Sequence, residues 1–227
     1  MNPRVEDASS VMVVSEEKTK SKFLYFVVKR IFDLFIGLIG TIIVIPTAIV
    51  IKICYLLQKD FAPIFFTQER IGYGGKKIKI YKFRSMVPNG EEVLEKLMAE
   101  NPEIREEYLK NKKLENDPRI TKVGAVIRAT SIDEFPQFIN ILKGDMSLVG
   151  PRPYLFREKE DMGKYYDEVI KCKPGLTGLW QVSGRSDVSF NYRLKLDKLY
   201  VMQRSIKFDI KIVVNTFGAV LGKKGAK

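Results

Sequence analysis

An uncharged apolar run near the start of the chain limits the possible fold more than any other feature. Residues 34–51 carry no charged side chain, and this length is at the lower limit for a helix that crosses a bilayer. Pro46 lies inside the run, where a proline removes a backbone hydrogen bond and kinks or breaks the helix. Lys29 and Arg30 precede the run and Lys52 follows it. Cations on both sides favour placing both ends at the cytoplasmic face of a membrane.

Two membrane geometries remain open for this run. A mildly bent helix would cross the bilayer, whereas a sharp break at Pro46 would return the chain to the face that it entered. The symmetric charges favour the second, re-entrant geometry. A buried hairpin of a soluble protein is the third alternative, but so long an uncharged run is rare there. The run starts too deep for a cleavable signal, and no small-residue cleavage site follows it.

Composition narrows the chemistry. The 227 residues are enough for one domain with a substantial core. The net charge of +12 suits nucleic acid, anionic lipid or phosphorylated small molecules. Histidine is absent, which removes the commonest general base and the commonest zinc ligand. Cys54 and Cys172 lack metal-type spacing, and we expect both to be free thiols at a reducing, cytosolic face.

The predicted fold is a helix-rich α/β protein in three parts. Residues 1–22 are expected to form a flexible polar N-terminus, residues 23–58 the re-entrant membrane helix, and residues 59–227 a folded domain with interfacial helices. Residues 64–71 and 76–84 predict a small β-hairpin around a glycine-rich turn. Helices are predicted at 91–115 (interrupted near residues 101–102), 120–128, 133–143 and 188–204, and residues 171–186 are predicted to be a loop around the single tryptophan.

The C-terminal segment is amphipathic. Apolar side chains recur there at helical spacing: Ile206, Ile210, Val213, Phe217 and Leu221. Such a stripe packs either against the core or onto a bilayer, and the sequence leaves both alternatives open.

An adjacent pair of carboxylates, Asp133 and Glu134, lies at a predicted helix start. Ser131 and Glu134 have the spacing of a capping box, so the pair could simply cap the helix. Pro136 favours a register with Asp133 as N-cap, because a proline at the third helical position loses no needed N–H. In that register the Asp133 carboxylate lies at a helix mouth, which also favours phosphate.

These residue types also fit phosphoryl chemistry. A carboxylate can attack phosphorus, and a neighbouring Glu134 can hold Mg²⁺. Arg128 and Arg152 can each bind two phosphate oxygens, and Pro151 and Pro153 stiffen the backbone around Arg152. From the residues alone, the structural and catalytic interpretations of the acidic pair both remain open.

Six ordered motifs then indicate a family. From about Lys29 to about Asp209, the chain resembles the bacterial sugar transferases, more fully the monotopic polyprenyl-phosphate phosphoglycosyl transferases. The motifs are KRIFD (29–33), YKFRSM (81–86), DPRIT (117–121), SIDEFPQ (131–137), GDMSLVGPRP (144–153) and KPGLTGLWQVSGR (173–185).

The resemblance implies a reaction and a set of site residues. These enzymes transfer a sugar 1-phosphate from a UDP-sugar to a polyprenyl phosphate, usually undecaprenyl phosphate, and release UMP. The implied roles are Asp133 as nucleophile through a covalent phosphosugar ester, Glu134 with Asp133 as Mg²⁺ ligands, Arg128, Arg152 and Lys82 as phosphate-binding residues, and Trp180, Gln181 and Arg185 as the nucleotide-sugar side.

The resemblance also implies a cellular setting. It places the protein at the bacterial cytoplasmic membrane, with residues 59–227 as a catalytic domain whose site faces the cytosol and with the membrane helix broken at Pro46. The expected role is the first membrane step of capsule, exopolysaccharide or related glycan assembly. It leaves room for a homo-oligomer and for contacts with downstream glycosyltransferases. Members often have serine before that proline, whereas this chain has Ile45, which removes one hydroxyl that would help a bend. The chain also lacks the multi-span N-terminal region of larger members, so we expect the catalytic unit alone.

Three rival functions make different predictions. Nucleic-acid binding is disfavoured because cations and acids are interleaved and no recognition motif is present. An inactive membrane scaffold could lose the acidic pair, which this chain retains. A glycosyltransferase that moves the sugar without its phosphate would release UDP rather than UMP.

Overall fold

The computed structural model describes residues 22–111, 114–184 and 188–221. The predicted N-terminal segment 1–22 therefore lies almost wholly outside the described residues, as does Arg185. In the described part, helices dominate and the strands form two small two-stranded sheets.

The longest element is helix α1 (Lys22–Leu57), which contains Pro46. It is one uninterrupted helix, so the predicted break at Pro46 is not confirmed. Within the described ranges, α1 is the one helix long and apolar enough to cross a membrane, and most of its surface is exposed.

One face of α1 packs on the rest of the protein along almost its whole length. Tyr25, Asp33, Val44 and Tyr55 are all buried on this face. The span from residue 25 to residue 55 corresponds to about 45 Å of helix. The opposite face exposes large apolar side chains, among them Phe35, Ile39, Ile42, Ile45, Ile49 and Ile53.

Polar contacts attach both ends of α1 to the same folded body. Asp33 accepts hydrogen bonds from Ser147 Oγ at 3.0 Å and from the Leu148 backbone N–H at 2.8 Å. Near the other end, the Tyr55 hydroxyl donates to the Arg84 carbonyl at 2.6 Å. The N-terminal half of α1, at Asp33, and its C-terminal end, at Tyr55, therefore contact the same domain.

The predicted hairpin is confirmed. Strands β1 (Phe65–Ile71) and β2 (Lys77–Phe83) pair antiparallel, with Phe66 opposite Lys82 and Arg70 opposite Ile78. The glycine-rich turn between them holds a short 3₁₀ helix (Tyr73–Gly75).

Most of the predicted helices are confirmed near their predicted bounds. Helices α2 (Gly90–Glu100) and α3 (Pro102–Asn111) meet at the predicted interruption, and α4 (Lys122–Ala129), α5 (Gln137–Lys143), α9 (Phe190–Gln203) and α10 (Ile206–Leu221) follow. Two short helices, α6 (Lys159–Met162) and α7 (Tyr166–Val169), precede the 171–186 region. Gly144 ends α5 in the left-handed conformation (φ 87°) that glycine favours, as predicted.

The prediction of a loop at 171–186 is wrong in part. Residues Gly175–Thr177 form strand β4, which pairs in parallel with β3 (Ser147–Val149), and Leu179–Val182 form the short helix α8. The sequence did not indicate these elements because each is too short to show a period: β4 has three residues and α8 is a single helical turn. Trp180 belongs to α8 and is buried there.

The C-terminal stripe resolves into two faces. Phe208 and Ile212 of α10 are buried in the core, whereas Ile210, Val214 and Phe217 are exposed. The predicted stripe residues Ile210 and Phe217 are therefore not core, and the exposed face of α10 adds to the exposed apolar surface of α1.

Both cysteines are free thiols, as the spacing predicted.

Candidate active site

The acidic pair lies in a short turn between two helices. Asp133 and Glu134 belong to a 3₁₀ turn (Ile132–Glu134), which follows α4 and precedes α5. Ser131 has a left-handed backbone (φ 59°) and its side chain makes no capping bond. The capping-box interpretation is therefore wrong, and Glu134 is not used to cap the helix.

The alternative register also needs correction. Helix α5 begins at Gln137 with Pro136 as its N-cap, so Asp133 is not the N-cap of an α-helix, and the helix predicted at 133–143 starts four residues later. Pro136 costs nothing because its missing N–H falls before the first helical turn. The tight turn, rather than a helix mouth, presents both carboxylates.

Lys82 of β2 contacts the pair directly. Its Nζ donates to Glu134 Oε1 at 2.8 Å. Burial opposes ionisation of Glu134, but the Lys82 charge and hydrogen bond outweigh it, and the pKa of Glu134 is lowered with further help from Arg152 and Arg70. Glu134 is therefore an anion that already has one cationic partner.

Asp133 has the opposite titration behaviour. Burial raises the pKa of Asp133 from 3.8 to about 6, and the neighbouring Glu134 anion adds to the rise, while Lys82 and Arg128 oppose it. Two adjacent carboxylates with pKa values pushed apart are typical of a catalytic pair. Near neutral pH the Asp133 carboxylate is ionised but poorly solvated, which favours nucleophilic attack.

The two predicted phosphate-binding arginines approach the pair from different elements. Arg128 lies in the last turn of α4 and its charge acts on Asp133. Arg152 follows β3, and its charge acts on Glu134. Its backbone N–H donates to Asp197 Oδ2 at 3.1 Å, which fixes the start of the loop.

Glycines fix the position of the Arg152 loop. A Cβ on Gly150 would come within 2.4 Å of the Lys173 carbonyl oxygen, and one on Gly175 within 2.1 Å of the Gly150 nitrogen. A Cβ on Gly178 would meet the Gly150 carbonyl oxygen at 2.2 Å. The two glycine-containing motifs therefore pack backbone against backbone, which brings the Arg152 loop next to α8.

The predicted nucleotide-sugar residues divide into three cases. Trp180 lies beside Arg152, whose Cζ is 5.4 Å from the Trp180 ring centre. Gln181 donates from Nε2 to the Leu176 carbonyl at 2.8 Å, so that end of its side chain secures the local backbone. Arg185 lies outside the described residues.

Two further arginines belong to this neighbourhood and were missed. Arg70 of β1 is buried and acts electrostatically on Glu134, and Arg193 of α9 lies with its Cζ 5.5 Å from the Trp180 ring centre. Arg70 lies in a strand of the hairpin, where the sequence pattern predicts that polar side chains face solvent. Arg193 precedes Asp197 by four residues, which in a sequence indicates a surface ion pair. Only the buried tertiary setting separates these arginines from solvated ones.

The acidic pair fits a magnesium ion held jointly with substrate. Within the described residues no group of three or more metal-ligating acidic, cysteine or histidine side chains occurs. Mg²⁺ is commonly held by one or two carboxylates together with waters and substrate phosphates. Asp133 and Glu134 supply that number of carboxylates beside arginines suited to a diphosphate.

Comparison with known proteins identifies the class. Residues 24–223 match the family described as bacterial sugar transferase, and the chain belongs to this family. The resemblance read from the motifs is thereby confirmed.

Particular relatives are similar over most of this chain. An undecaprenyl-phosphate galactose phosphotransferase of Salmonella typhimurium is 46% identical over 92% of this chain and 43% of its own length. The exopolysaccharide production protein ExoY of Rhizobium meliloti is 39% identical over the full length of both. The galactosyl transferase CpsE of Streptococcus agalactiae is 40% identical over 99% of this chain and 49% of its own length. The chain thus spans less than half the length of the Salmonella and Streptococcus relatives.

Proposed function

We propose that this protein transfers a sugar 1-phosphate from a UDP-sugar to undecaprenyl phosphate, with release of UMP. The observation that carries the proposal is the acidic pair: Asp133, with a raised pKa, next to Glu134, which is bound by Lys82, with Arg128 and Arg152 close by. The names of relatives in undecaprenyl-phosphate sugar transfer and exopolysaccharide production support it.

The reaction divides into two displacements at one phosphorus atom. An Asp133 carboxylate oxygen attacks the sugar-bearing phosphorus of the donor. The bond from that phosphorus to the bridging oxygen breaks, and its electron pair leaves with UMP. A phosphate oxygen of undecaprenyl phosphate then attacks the same phosphorus. The bond to Asp133 breaks, and the carboxylate is regenerated.

The charged neighbours lower the barrier without a histidine. Both nucleophiles are anions near neutral pH, because the pKa of Asp133 is about 6 and the acceptor is a phosphate monoester. The cations Lys82, Arg128 and Arg152 offset the repulsion between each anionic nucleophile and the phosphoryl oxygens. Fixed positions on β2, α4 and the β3 loop reduce the reorganisation needed for in-line attack.

Glu134 and Asp133 would hold Mg²⁺ through their carboxylate oxygens, and the ion would add charge neutralisation of the diphosphate when bound. The Lys82 contact engages Glu134 Oε1 and fixes the side chain.

The proposal includes a position at one face of a membrane. Helix α1 has both ends packed on the same folded body, while its outer face and that of α10 expose large apolar side chains. If α1 crossed the bilayer, the folded body that packs along its length would have to enter the hydrocarbon. This arrangement supports an α1 that lies in the plane of the cytoplasmic leaflet, with the acidic pair facing the cytosol, where an acceptor phosphate would reach it. A re-entrant α1 would need a break at Pro46, and the helix is continuous there.

The identity of the released nucleotide tests the proposal. Detergent-purified protein is given undecaprenyl phosphate, Mg²⁺ and, one at a time, UDP-glucose, UDP-galactose and UDP-N-acetylglucosamine, and nucleotides are separated by chromatography. We expect UMP from at least one donor, dependent on the lipid and lost in Asp133→Asn. Asp167→Asn, which changes an exposed aspartate of α7, is the matched control and should retain activity. Release of UDP would instead indicate a glycosyltransferase and refute the proposal.

A further inference from the structure

One buried amide lies between the strand that carries Lys82 and the helix that follows the acidic pair. Asn140 belongs to α5, and its side chain is fully buried. It lies three residues after the SIDEFPQ motif and four before the GDMSLVGPRP motif, so it is outside the motifs that carry the family resemblance. Buried polar side chains are normally hydrogen-bonded, and the partners of this amide show what it does.

Both polar groups of the Asn140 side chain bond to the backbone of β2. Its Nδ2 donates to the Lys79 carbonyl at 2.7 Å, and its Oδ1 accepts from the Tyr81 backbone N–H at 3.0 Å. These two backbone groups are two residues apart, so they face the same edge of β2, opposite the edge that pairs with β1. The partners also fix the orientation of the amide, because a carbonyl requires a donor and an N–H requires an acceptor. The side chain thus takes the place of a neighbouring strand.

This arrangement sets the register between α5 and β2. Ile80 packs with Ile141 and Met146 in the same region, but apolar contact is non-directional and allows one surface to slide along the other. The two Asn140 bonds do not allow sliding, because each needs one particular backbone group. One residue of strand spans about 3.3 Å, so a slip of one residue would remove both bonds.

The register determines where Lys82 lies. Side chains alternate along a strand, so Lys82 shares a face of β2 with the buried Ile80, and this strand contacts both α5 and the turn before it. Lys82 Nζ donates to Glu134 Oε1 at 2.8 Å, and Glu134 lies three residues before the start of α5. A displacement of about 1 Å between β2 and α5 would stretch a bond of this length beyond the normal range.

Helix α5 is fixed from its other side by α1. Arg30 of α1 donates to two carbonyls in the last turn of α5, at 2.8 and 2.9 Å. A Cβ on Gly40 of α1 would lie 2.2 Å from Cγ of Phe138, so the two helices pack closely. These contacts hold α5 to the membrane-facing helix, whereas Asn140 provides a buried polar contact that holds α5 to the strand with Lys82.

We propose that Asn140 is a positioning residue that sets the distance between Lys82 and the acidic pair, because its amide takes the place of a strand beside β2. Its effect on catalysis rests on the proposed function, in which Lys82 neutralises phosphoryl charge. The Asn140 amide bonds to the β2 backbone and, at 3.4 Å, to Asp145, so it acts on the acidic pair through Lys82.

A double-mutant cycle tests this role by steady-state kinetics. UMP release is measured in detergent at saturating undecaprenyl phosphate and Mg²⁺, with a varied UDP-sugar, for Asn140→Ala, Lys82→Met and the variant that carries both substitutions. We expect Asn140→Ala to lower kcat by about 10- to 100-fold and to change KM for the donor by less than about 3-fold, because misplacement by about 1 Å weakens transition-state contacts most. In the Lys82→Met background, Asn140→Ala should lower kcat by less than about 2-fold, because residues that act through one another are not additive.

Two further variants separate positioning from loss of stability. Ser147→Ala also removes a buried side-chain hydrogen bond, the 3.0 Å bond to Asp33, and should lower the midpoint of thermal unfolding without changing kcat. Asn140→Asp keeps the shape of the side chain and the acceptor for the Tyr81 N–H, but an ionised carboxylate cannot donate to the Lys79 carbonyl. It should also lower kcat, and it decides the matter if Asn140→Ala fails to fold.

Hydrogen exchange followed by mass spectrometry gives a readout that needs no turnover. The Tyr81 N–H loses its acceptor in Asn140→Ala, so the peptide that contains β2 should exchange faster in this variant and at an unchanged rate in Ser147→Ala.

The proposal is overturned if Asn140→Ala and Asn140→Asp both keep normal kcat, if the losses from Asn140→Ala and Lys82→Met multiply in the double variant, or if Ser147→Ala lowers kcat as much as Asn140→Ala. Failure of the proposed function gives a different result, in which the unmodified protein releases no UMP. Hydrogen exchange then decides: faster exchange of β2 in Asn140→Ala supports Asn140 as the residue that holds the strand, and unchanged exchange overturns it.

Discussion

Replacing Asp133 by asparagine should stabilise the fold while it abolishes turnover. Burial and Glu134 raise the pKa of Asp133 from 3.8 to about 6, which means that the folded protein disfavours the ionised carboxylate. A difference of this size corresponds to about 3 kcal/mol. Asp133 is only half-buried, and solvent screening reduces the figure to about 1–2 kcal/mol. For a chain of this size the midpoint of thermal unfolding would rise by about 2–8 °C.

The pH dependence of the stability gain distinguishes an effect of the raised Asp133 pKa from a gain caused by better packing of the asparagine. Because the folded pKa of Asp133 lies above the unfolded value, its contribution to stability is fully present below about pH 4 and is lost as pH rises through about 6. Asparagine does not titrate. The stability gain of Asp133→Asn should therefore be small at pH 4, grow between pH 4 and 6, and level off above it.

The assay is thermal unfolding in one detergent, in buffers from pH 4 to 8, for unmodified protein, Asp133→Asn and Asp167→Asn. The exposed control, Asp167→Asn, should change the free energy of unfolding by less than about 0.5 kcal/mol at every pH. A midpoint for Asp133→Asn that is lower than that of the unmodified protein, or a gain that does not change with pH, would refute the reasoning that Asp133 carries a raised pKa.

Three further predictions follow from the same contacts. Lys82→Met should lower kcat by about 100-fold or more, because Glu134 loses its partner at 2.8 Å and the phosphoryl oxygens lose a cation; near-normal steady-state kinetics would contradict the role of Lys82. The rate of UMP release at low donor concentration should fall as pH drops through about 6, where Asp133 gains a proton, and a flat profile down to pH 5 would contradict it. Asp33→Ala should cost about 1–3 kcal/mol of stability, because the donors at Ser147 and Leu148 lose their buried acceptor, and chemical unfolding that shows no loss would contradict that attachment of α1.

The sequence predicted the elements whose signals are local. The hairpin, the paired helices at Gly90–Glu100 and Pro102–Asn111, and the Gly144 cap each depend on turn residues and periodicity within a few positions. The acidic pair was a candidate from the residues themselves and Lys82 came from the motif resemblance, and the structure brings Lys82 within hydrogen-bond distance of Glu134. That contact joins residues 52 positions apart, so no local pattern could have predicted it.

The missed features depend on tertiary packing. The parallel pairing of β3 with β4 involves three-residue strands that carry no recognisable alternation. The predicted register of the acidic turn was wrong because Ser131 adopts the left-handed conformation (φ 59°), which a serine in a sequence does not signal. The sequence pattern indicates solvated charges at Arg70 and Arg193, whereas both side chains are buried, Arg193 beside Trp180. The sequence predicted that α1 contacts the membrane. It could not show which face of α1 packs on the protein, because the apolar residues of this helix occur on all of its faces.

The most direct test of the account is the mass of the protein after incubation with donor in the absence of lipid acceptor. The protein is mixed with a UDP-sugar and Mg²⁺, quenched, and analysed intact and after proteolysis by mass spectrometry. The account predicts an added sugar phosphate on the peptide that contains Asp133, removed on addition of undecaprenyl phosphate and absent from Asp133→Asn. Turnover to UMP without any adduct, or an adduct that persists in Asp133→Asn, would contradict Asp133 as the nucleophile.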